Sequence, residues 1–299
     1  MRIGELLRSR RPCISFEFFP PKTEAGVENL METVRSLRIL NPGFVSVTYG
    51  AGGSSRARTL EVVKRIKSEL EIEPMAHVTC VGSTRDELRA LLRELQRAGI
   101  ENIMALRGDA PKDADRFTAT EGGFRYATDL ITMLAAEFPF SIGAGAYPEK
   151  HPEALDVAAD TRVAALKVAA GAEFLVTQFF FNNDDYFAYV ERLRGAGIDV
   201  PVIPGIMPIT SYASIATMTK MNGGTVPQRL LAELEARSDQ PEAVAELGVA
   251  FMALQCRELL SRGAPGLHFY TLNKSPATRA VVSALLAANA LHEPASALS

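Results

Sequence analysis

The chain has 299 residues, 47% hydrophobic and 22% charged, an ordinary globular balance with length for one large domain or two small ones. Its formal net charge of -3, with acidic and basic residues interspersed, gives no electrostatic case for nucleic acid or an anionic membrane surface. Three scattered cysteines, Cys13, Cys80 and Cys256, form no CxxC pair and read as a reduced, cytoplasmic protein.

The basic start MRIGELLRSRRP lacks the apolar run of a signal peptide, and no apolar stretch is long enough to span a bilayer. Short apolar runs then alternate with helical patterns. Strands are expected over 13–19, 44–48, 75–80, 102–106, 141–147, 173–179, 202–205 and 267–271. The runs are nearly continuous in apolar residues, as suits parallel strands covered on both faces. Between them, Leu88, Leu91, Leu92 and Leu95 recur at helical spacing, as do Tyr126, Leu130, Met133 and Leu134. Gly99, Gly171, Gly197 and Gly263 each follow a helical stretch shortly before a strand and are expected to end it. Eight strand–helix units over roughly 250 residues is the count of a (β/α)8 TIM barrel, with a doubly wound open sheet as the second choice. Extra helix over 211–221 and 228–262 reads as an elaboration of the seventh unit. Residues 1–299 read as a single barrel domain, frayed after His292.

In such a barrel the site forms where the strands end. The polar residues there are Glu17, Thr48, Tyr49, His77, Thr79, Arg107, Gly108, Asp109, Tyr147, His151, Gln178, Tyr270, Thr271, Asn273 and Lys274. Thr48 and Gln178 could equally end a strand and bond a loop, His77 could be a satisfied core histidine, and Arg107 with Asp109 could close a turn. Glu17 is the hardest to explain as structure. It sits in SFEFFPP between phenylalanines, and an apolar wall raises a carboxyl pKa, which suits a general acid. The four histidines form no HxH or HExxH, so no metal site is expected. GxSxG, a Walker A loop and a strand-to-helix GxGxxG are absent. Lys274 is the one fair candidate for a Schiff-base lysine.

Eight strings, SFEFFPPK (15–22), VSVTYGAGG (45–53), HVTC (77–80), LRGD (106–109), AYPEKHPE (146–153), TQFFF (177–181), IPGIMPI (203–209) and HFYTLN (268–273), occur in order across nearly the whole chain. Together they resemble bacterial methylenetetrahydrofolate reductases, which are FAD-dependent (β/α)8 barrels. The resemblance implies that NADH or NADPH reduces FAD and leaves. Reduced flavin then passes hydride to 5,10-methylenetetrahydrofolate, giving 5-methyltetrahydrofolate for methionine synthesis. It implies Glu17 as the acid that protonates N10, and Asp109 as the carboxylate near flavin and pterin. Gln178 would contact folate and nicotinamide, with Thr48 on the nicotinamide side. Tyr49, Ala51, His77, Arg107, Gly108, Tyr126, Ala127, Tyr147, His151, Ala154, Asp160 and Lys167 match flavin-contacting positions, His151 and Lys167 being expected donors to the pyrophosphate. Met218 stands where some relatives have a stacking phenylalanine, and Lys274 where many have arginine. The resemblance implies no counterpart of the animal C-terminal regulatory domain and a homo-oligomer, both as expectations. Two other classes stay open: a lyase or aldolase using Lys274, and a folate- or nucleotide-binding module without turnover.

Overall fold

Parallel strands alternate with helices along the whole chain, in a computed structural model that describes residues 1–9, 12–49, 56–109, 117–274 and 276–291. The first half runs α1 (Ile3–Arg8), β1 (Cys13–Phe18), α2 (Glu24–Arg38), β2 (Phe44–Val47), α3 (Arg56–Arg65), β3 (Pro74–Thr79), α4 (Arg85–Arg97) and β4 (Asn102–Leu106). It continues through α5 (Ala127–Glu137), β5 (Ser141–Ala146), α6 (Val157–Ala169), β6 (Phe174–Thr177) and α7 (Asn183–Gly195). The last third holds β7 (Val202–Ile203), β8 (Gly205–Ile206), α8 (Tyr212–Asn222), α9 (Gln228–Glu235), α10 (Pro241–Ser261), β9 (Gly266–Tyr270) and α11 (Pro276–Ala287). The predicted tail after His292, like Ala51, lies outside the described residues.

The sheet order is β7-β6-β5-β4-β3-β2-β1-β9-β8. β7 pairs with β6, and β8 pairs with β9, both in parallel. The two dipeptides flank Pro204 and are one stave, so the nine segments are the eight staves of a closed barrel. Proline has no N–H to give the ladder. Its carbonyl still accepts from His268 N–H at 2.9 Å, which carries the pairing across the break.

Alternation along each stave divides the side chains between two layers. Phe16 and Phe18 join the large cluster that β1 shares with Val27, Leu30 and Met31 of α2. A second cluster fills the lower barrel interior with Cys13, Phe44, Met75, Met104, Phe174, Val176 and Ile203, and Ile3 and Leu7 of α1 plug it from below. Gly143 leaves room there, since a Cβ would meet the Phe174 ring at 2.5 Å.

Local chemistry accounts for the helices. In α4, Thr84 and Glu87 form a reciprocal capping box, Leu88, Leu91, Leu92 and Leu95 are buried, and Gly99 follows at φ +74°. The helix expected over 228–262 is two helices. Pro241 opens α10 at its first turn, where a missing N–H costs nothing, and the chain before it turns through residues 236–240.

Candidate active site

Glu17 points into the barrel from the upper half of β1, level with Ser46 of β2 and Tyr270 of β9. It is 7% exposed. Its Oε2 accepts from Ser46 Oγ at 3.1 Å and lies 3.2 Å from both His268 Nε2 and His77 Nε2. The His268 contact is a hydrogen bond; the His77 nitrogen is close but out of alignment and has no hydrogen-bond partner. The expected aromatic wall around this carboxyl is not there: Phe16 and Phe18 face the helices, as alternation requires, and polar groups surround it instead.

Serine hydroxyls bracket the His268 ring at both of its nitrogens. Ser15 Oγ donates to the Leu267 carbonyl at 3.2 Å and meets His268 Nδ1 at 2.8 Å. On the other side Ser46 Oγ lies 3.3 Å from His268 Nε2, so each ring nitrogen faces a hydroxyl that can accept from it or donate to it. The Nε2 contact with Glu17 is then attractive with the proton on either partner, as imidazolium–carboxylate or imidazole–carboxylic acid. The pair can share one proton. Burial pushes the Glu17 carboxyl up. The charge of His77 and the hydrogen bond from His268 outweigh that and hold the carboxyl below its usual range, as an anion in the unliganded site.

Above Glu17 the staves present unsatisfied polar atoms. Thr48 Oγ1, His77 Nε2 and Thr79 Oγ1 are buried without hydrogen-bond partners, at the ends of β2 and β3. Gly108, at φ +87°, lets the end of β4 pass Val81 and Thr79, where a Cβ would meet side-chain atoms at 2.6 and 3.1 Å. A buried polar atom without a partner is costly, so this rim suits a flat group that brings its own donors and acceptors.

A second cluster sits at the ends of β4 and β5. Arg107 clamps Glu153 with bonds of 2.6 and 2.8 Å, and exposed Asp109 lies close enough to Arg107 and Tyr147 to act on both by charge. Tyr147 meets the His151 ring edge-on at 4.5 Å. His151 Nδ1 accepts from Glu153 N–H at 3.0 Å, which places the neutral ring's proton on Nε2. Burial raises the Asp160 carboxyl, which the His151 N–H opposes at 3.3 Å. Lys167 is turned inward: its Nζ donates to the Gly145 carbonyl at 2.7 Å, and burial lowers it to about 8. Ala154 is half-buried beside His151, to whose carbonyl its N–H donates. Tyr270 joins the two clusters, since Glu17 and Tyr147 both bear on its buried hydroxyl by charge.

The remaining predicted residues lie around these. Tyr49 accepts from Arg56 Nε at 2.6 Å. Half-exposed Tyr126 precedes Ala127, the first residue of α5. Gln178 Oε1 accepts from the Phe179 N–H at 3.0 Å. Met218 of α8 packs on the cluster of Phe179, Phe181, Met207 and Ile209, which Tyr270 and Leu272 also border. Lys274 is exposed, so it lacks the desolvation a Schiff-base lysine needs. No group of three or more metal-ligating side chains occurs among the described residues.

The family model for methylenetetrahydrofolate reductase matches residues 2–286. The 5,10-methylenetetrahydrofolate reductase of Escherichia coli is 38% identical over 273 residues, covering 91% of this chain and 90% of that protein. The chain belongs to the methylenetetrahydrofolate reductase family. Methylenetetrahydrofolate reductase 1 of Schizosaccharomyces pombe is 39% identical, and methylenetetrahydrofolate reductase (NADH) 1 of Arabidopsis thaliana 37%. Each aligns with 91% of the chain, which spans 45% and 48% of their lengths. An uncharacterized protein from Clostridium thermocellum that binds two copies of 5-methyl-5,6,7,8-tetrahydrofolic acid has the same fold, with a TM-score of 0.63 over 95% of this chain and 97% of that one. At 15% identity that likeness is one of fold.

The methylenetetrahydrofolate reductase family implies a flavin, and the rim fits one: Thr48 and Thr79 offer unspent polar atoms at the ends of β2 and β3, beside the His77 ring that faces Glu17. Sequence reading missed Ser46 and His268, which meet the Glu17 carboxyl, and Ser15, which holds the His268 ring from below. A signal for them exists. Each is an isolated polar residue in an apolar run, and Ser15 and His268 lie two residues before Glu17 and Tyr270 on adjacent staves.

Proposed function

We propose that the protein reduces 5,10-methylenetetrahydrofolate to 5-methyltetrahydrofolate with NADH or NADPH in two separate half-reactions on one site, using FAD. The observation that carries this reading is the buried Glu17 carboxyl, tied to His268 and Ser46 beneath a rim of unpartnered polar atoms. FAD, when bound, supplies two-electron storage between nicotinamide and folate. Thr48, His77 and Thr79 would bond its ring edge, and Tyr147, His151 and Asp160 would hold the rest. Lys167 spends its Nζ on Gly145, so its contribution would be to fix β5 beneath the cofactor rather than to meet phosphate.

The substrate's five-membered ring must open before it accepts hydride, which needs a proton on N10. Glu17 delivers it. The carboxyl takes up that proton as substrate closes the mouth, because expelling water disfavours a buried carboxylate and raises its pKa. Asp109 favours the cationic opened form by charge. Gln178 binds whichever substrate is present, and Met218 and Lys274 meet the folate further out. The three buried thiols suit a reducing cytoplasm, the single barrel is the catalytic unit, and the product feeds methionine synthesis. The working form is a homo-oligomer.

Purified protein should be yellow, release FAD on denaturation and oxidise NADH or NADPH with a quinone acceptor in the absence of folate. Glu17→Gln should lower the folate half-reaction by about 10²–10⁴-fold and keep the nicotinamide half. An equal fall in both halves would remove Glu17 as the specific acid.

A further inference from the structure

Beyond Phe18 the first stave loses its ladder. Pro20 and Pro21 follow Phe19 and have no N–H to offer. The segment Thr271-Leu272-Asn273, just past β9, replaces the missing bonds. Thr271 donates to the Glu17 carbonyl twice, from its backbone N–H at 3.2 Å and its hydroxyl at 2.6 Å. Asn273 pairs with Phe19 through its side chain, accepting from the Phe19 N–H at 2.8 Å and donating to the Phe19 carbonyl at 2.9 Å. Its carboxamide thus imitates a peptide unit of a neighbouring strand.

This arrangement is held against local preference. Leu272 and Asn273 are consecutive non-glycine residues at φ +52° and +58°. Asparagine tolerates that region and leucine does not, so the turn persists only because surrounding bonds over-determine it. Asn273 N–H donates to Thr271 Oγ1 at 3.2 Å and Lys274 N–H to the Thr271 carbonyl at 2.9 Å, closing the turn on itself. The result turns Leu272 into the apolar wall shared with Met218, Phe179 and Tyr270.

We propose that Asn273 is a positioning residue for the reaction: its carboxamide clamps the mouth end of β1, and with Thr271 it sets the aim of the Glu17 carboxyl while seating Leu272 in the substrate wall. The proposal rests on the reading of Glu17 as proton donor. The distance at stake is small, and a misplacement of about 1 Å in a reacting group costs on the order of 10²-fold in rate.

Asn273→Gly is the informative variant. Glycine accepts the left-handed backbone without penalty, so the turn can form while the amide bonds are lost. Two measurements on the full chain read the outcome. Amide exchange at Phe19 should quicken at least about tenfold, which reports the clamp with no reference to activity. The folate half-reaction should fall about 10–100-fold in kcat, with its acid limb displaced on the pH axis and the nicotinamide–quinone half within about twofold of wild type. Asn273→Asp, which keeps the acceptor for Phe19 N–H but sets a carboxylate oxygen against the Phe19 carbonyl, should show the same pattern. Unchanged Phe19 exchange, or an unchanged folate half and pH profile, would overturn the clamp. A loss shared equally by both halves would reduce it to a fold element and overturn the positioning role. Glu17→Gln run alongside separates the two readings. A fully active Glu17→Gln defeats the proton-donor reading, whereas an inactive Glu17→Gln beside an active Asn273→Gly defeats the clamp alone.

Discussion

Lys167 is the residue whose charge costs the fold most visibly. Burial lowers its ammonium from 10.5 to about 8, with Asp160 opposing that shift. Between those two values the unfolded chain binds the proton and the folded chain does not, so stability rises with pH across the window, by at most about 1.4 kcal/mol per pH unit. Below pH 8 both states carry the charge and the folded state bears its full cost. Lys167→Met removes the term. The difference in urea midpoint between wild type and variant should move in favour of wild type from pH 8 to pH 9.5, and parallel curves would show that this lysine is solvated. Residue by residue, the sequence yielded types better than surroundings. Glu17 stood out because a carboxylate among phenylalanines needs an explanation, but alternation sends Phe16 and Phe18 to the helix layer and leaves the carboxyl with Ser46, His77 and His268. Partners on other staves are set by register, which no local pattern in one strand contains.

The elements themselves were more legible. Each predicted strand has its counterpart because a stave covered on both faces must be apolar at nearly every position, a signal that survives without knowledge of the neighbours. The exception to uniform staves is the seventh, where Pro204 divides it and Gly205 lies under Tyr270. A Cβ on Gly205 would meet the Thr177 carbonyl oxygen at 2.3 Å and the Tyr270 ring at 2.6 Å. The same backbone bonds Thr177 Oγ1 through its N–H at 2.9 Å, and Tyr270 donates to the Thr177 carbonyl at 2.6 Å, so none of the three can give way. Gly205→Ala should cost about 1–3 kcal/mol in denaturant unfolding. Gly195→Ala, at the end of α7 with nothing within 4 Å of the new methyl, should be neutral or stabilise by up to about 1 kcal/mol. Equal effects would mean that contact, rather than helix propensity, had been misjudged at Gly205. The division between α9 and α10 was missed although Pro241 announces it, because apolar residues recur at helical spacing on both sides of the turn.

At the scale of the molecule, the two barrel ends do different things. Buried Thr48 and Thr79 hydroxyls without partners lie where strands finish, whereas the starting end is sealed by α1. Asn102 of β4 fastens that seal. Its Oδ1 accepts from Ile3 N–H at 2.8 Å, and its Nδ2 donates to the Met1 carbonyl at 2.9 Å and to Glu73 at 3.0 Å. Asn102→Ala should lower stability by about 1–3 kcal/mol and leave both half-reactions at wild-type rates, since it strands buried groups far from the mouth. A matching fall in turnover at unchanged stability would show that the two ends communicate. That scattered residues converge on one mouth followed from counting eight units. Which of them touch did not, because contact across a barrel depends on shear and on which side chains reach the axis.

The divided stave also sets where the hoop can part. β7 and β8 each contribute two residues to the ladders on either side of Pro204, against four or more in every other strand. Thermal opening of the cylinder would therefore concentrate at this short joint, beside Thr177 and Tyr270, instead of being shared around the circumference.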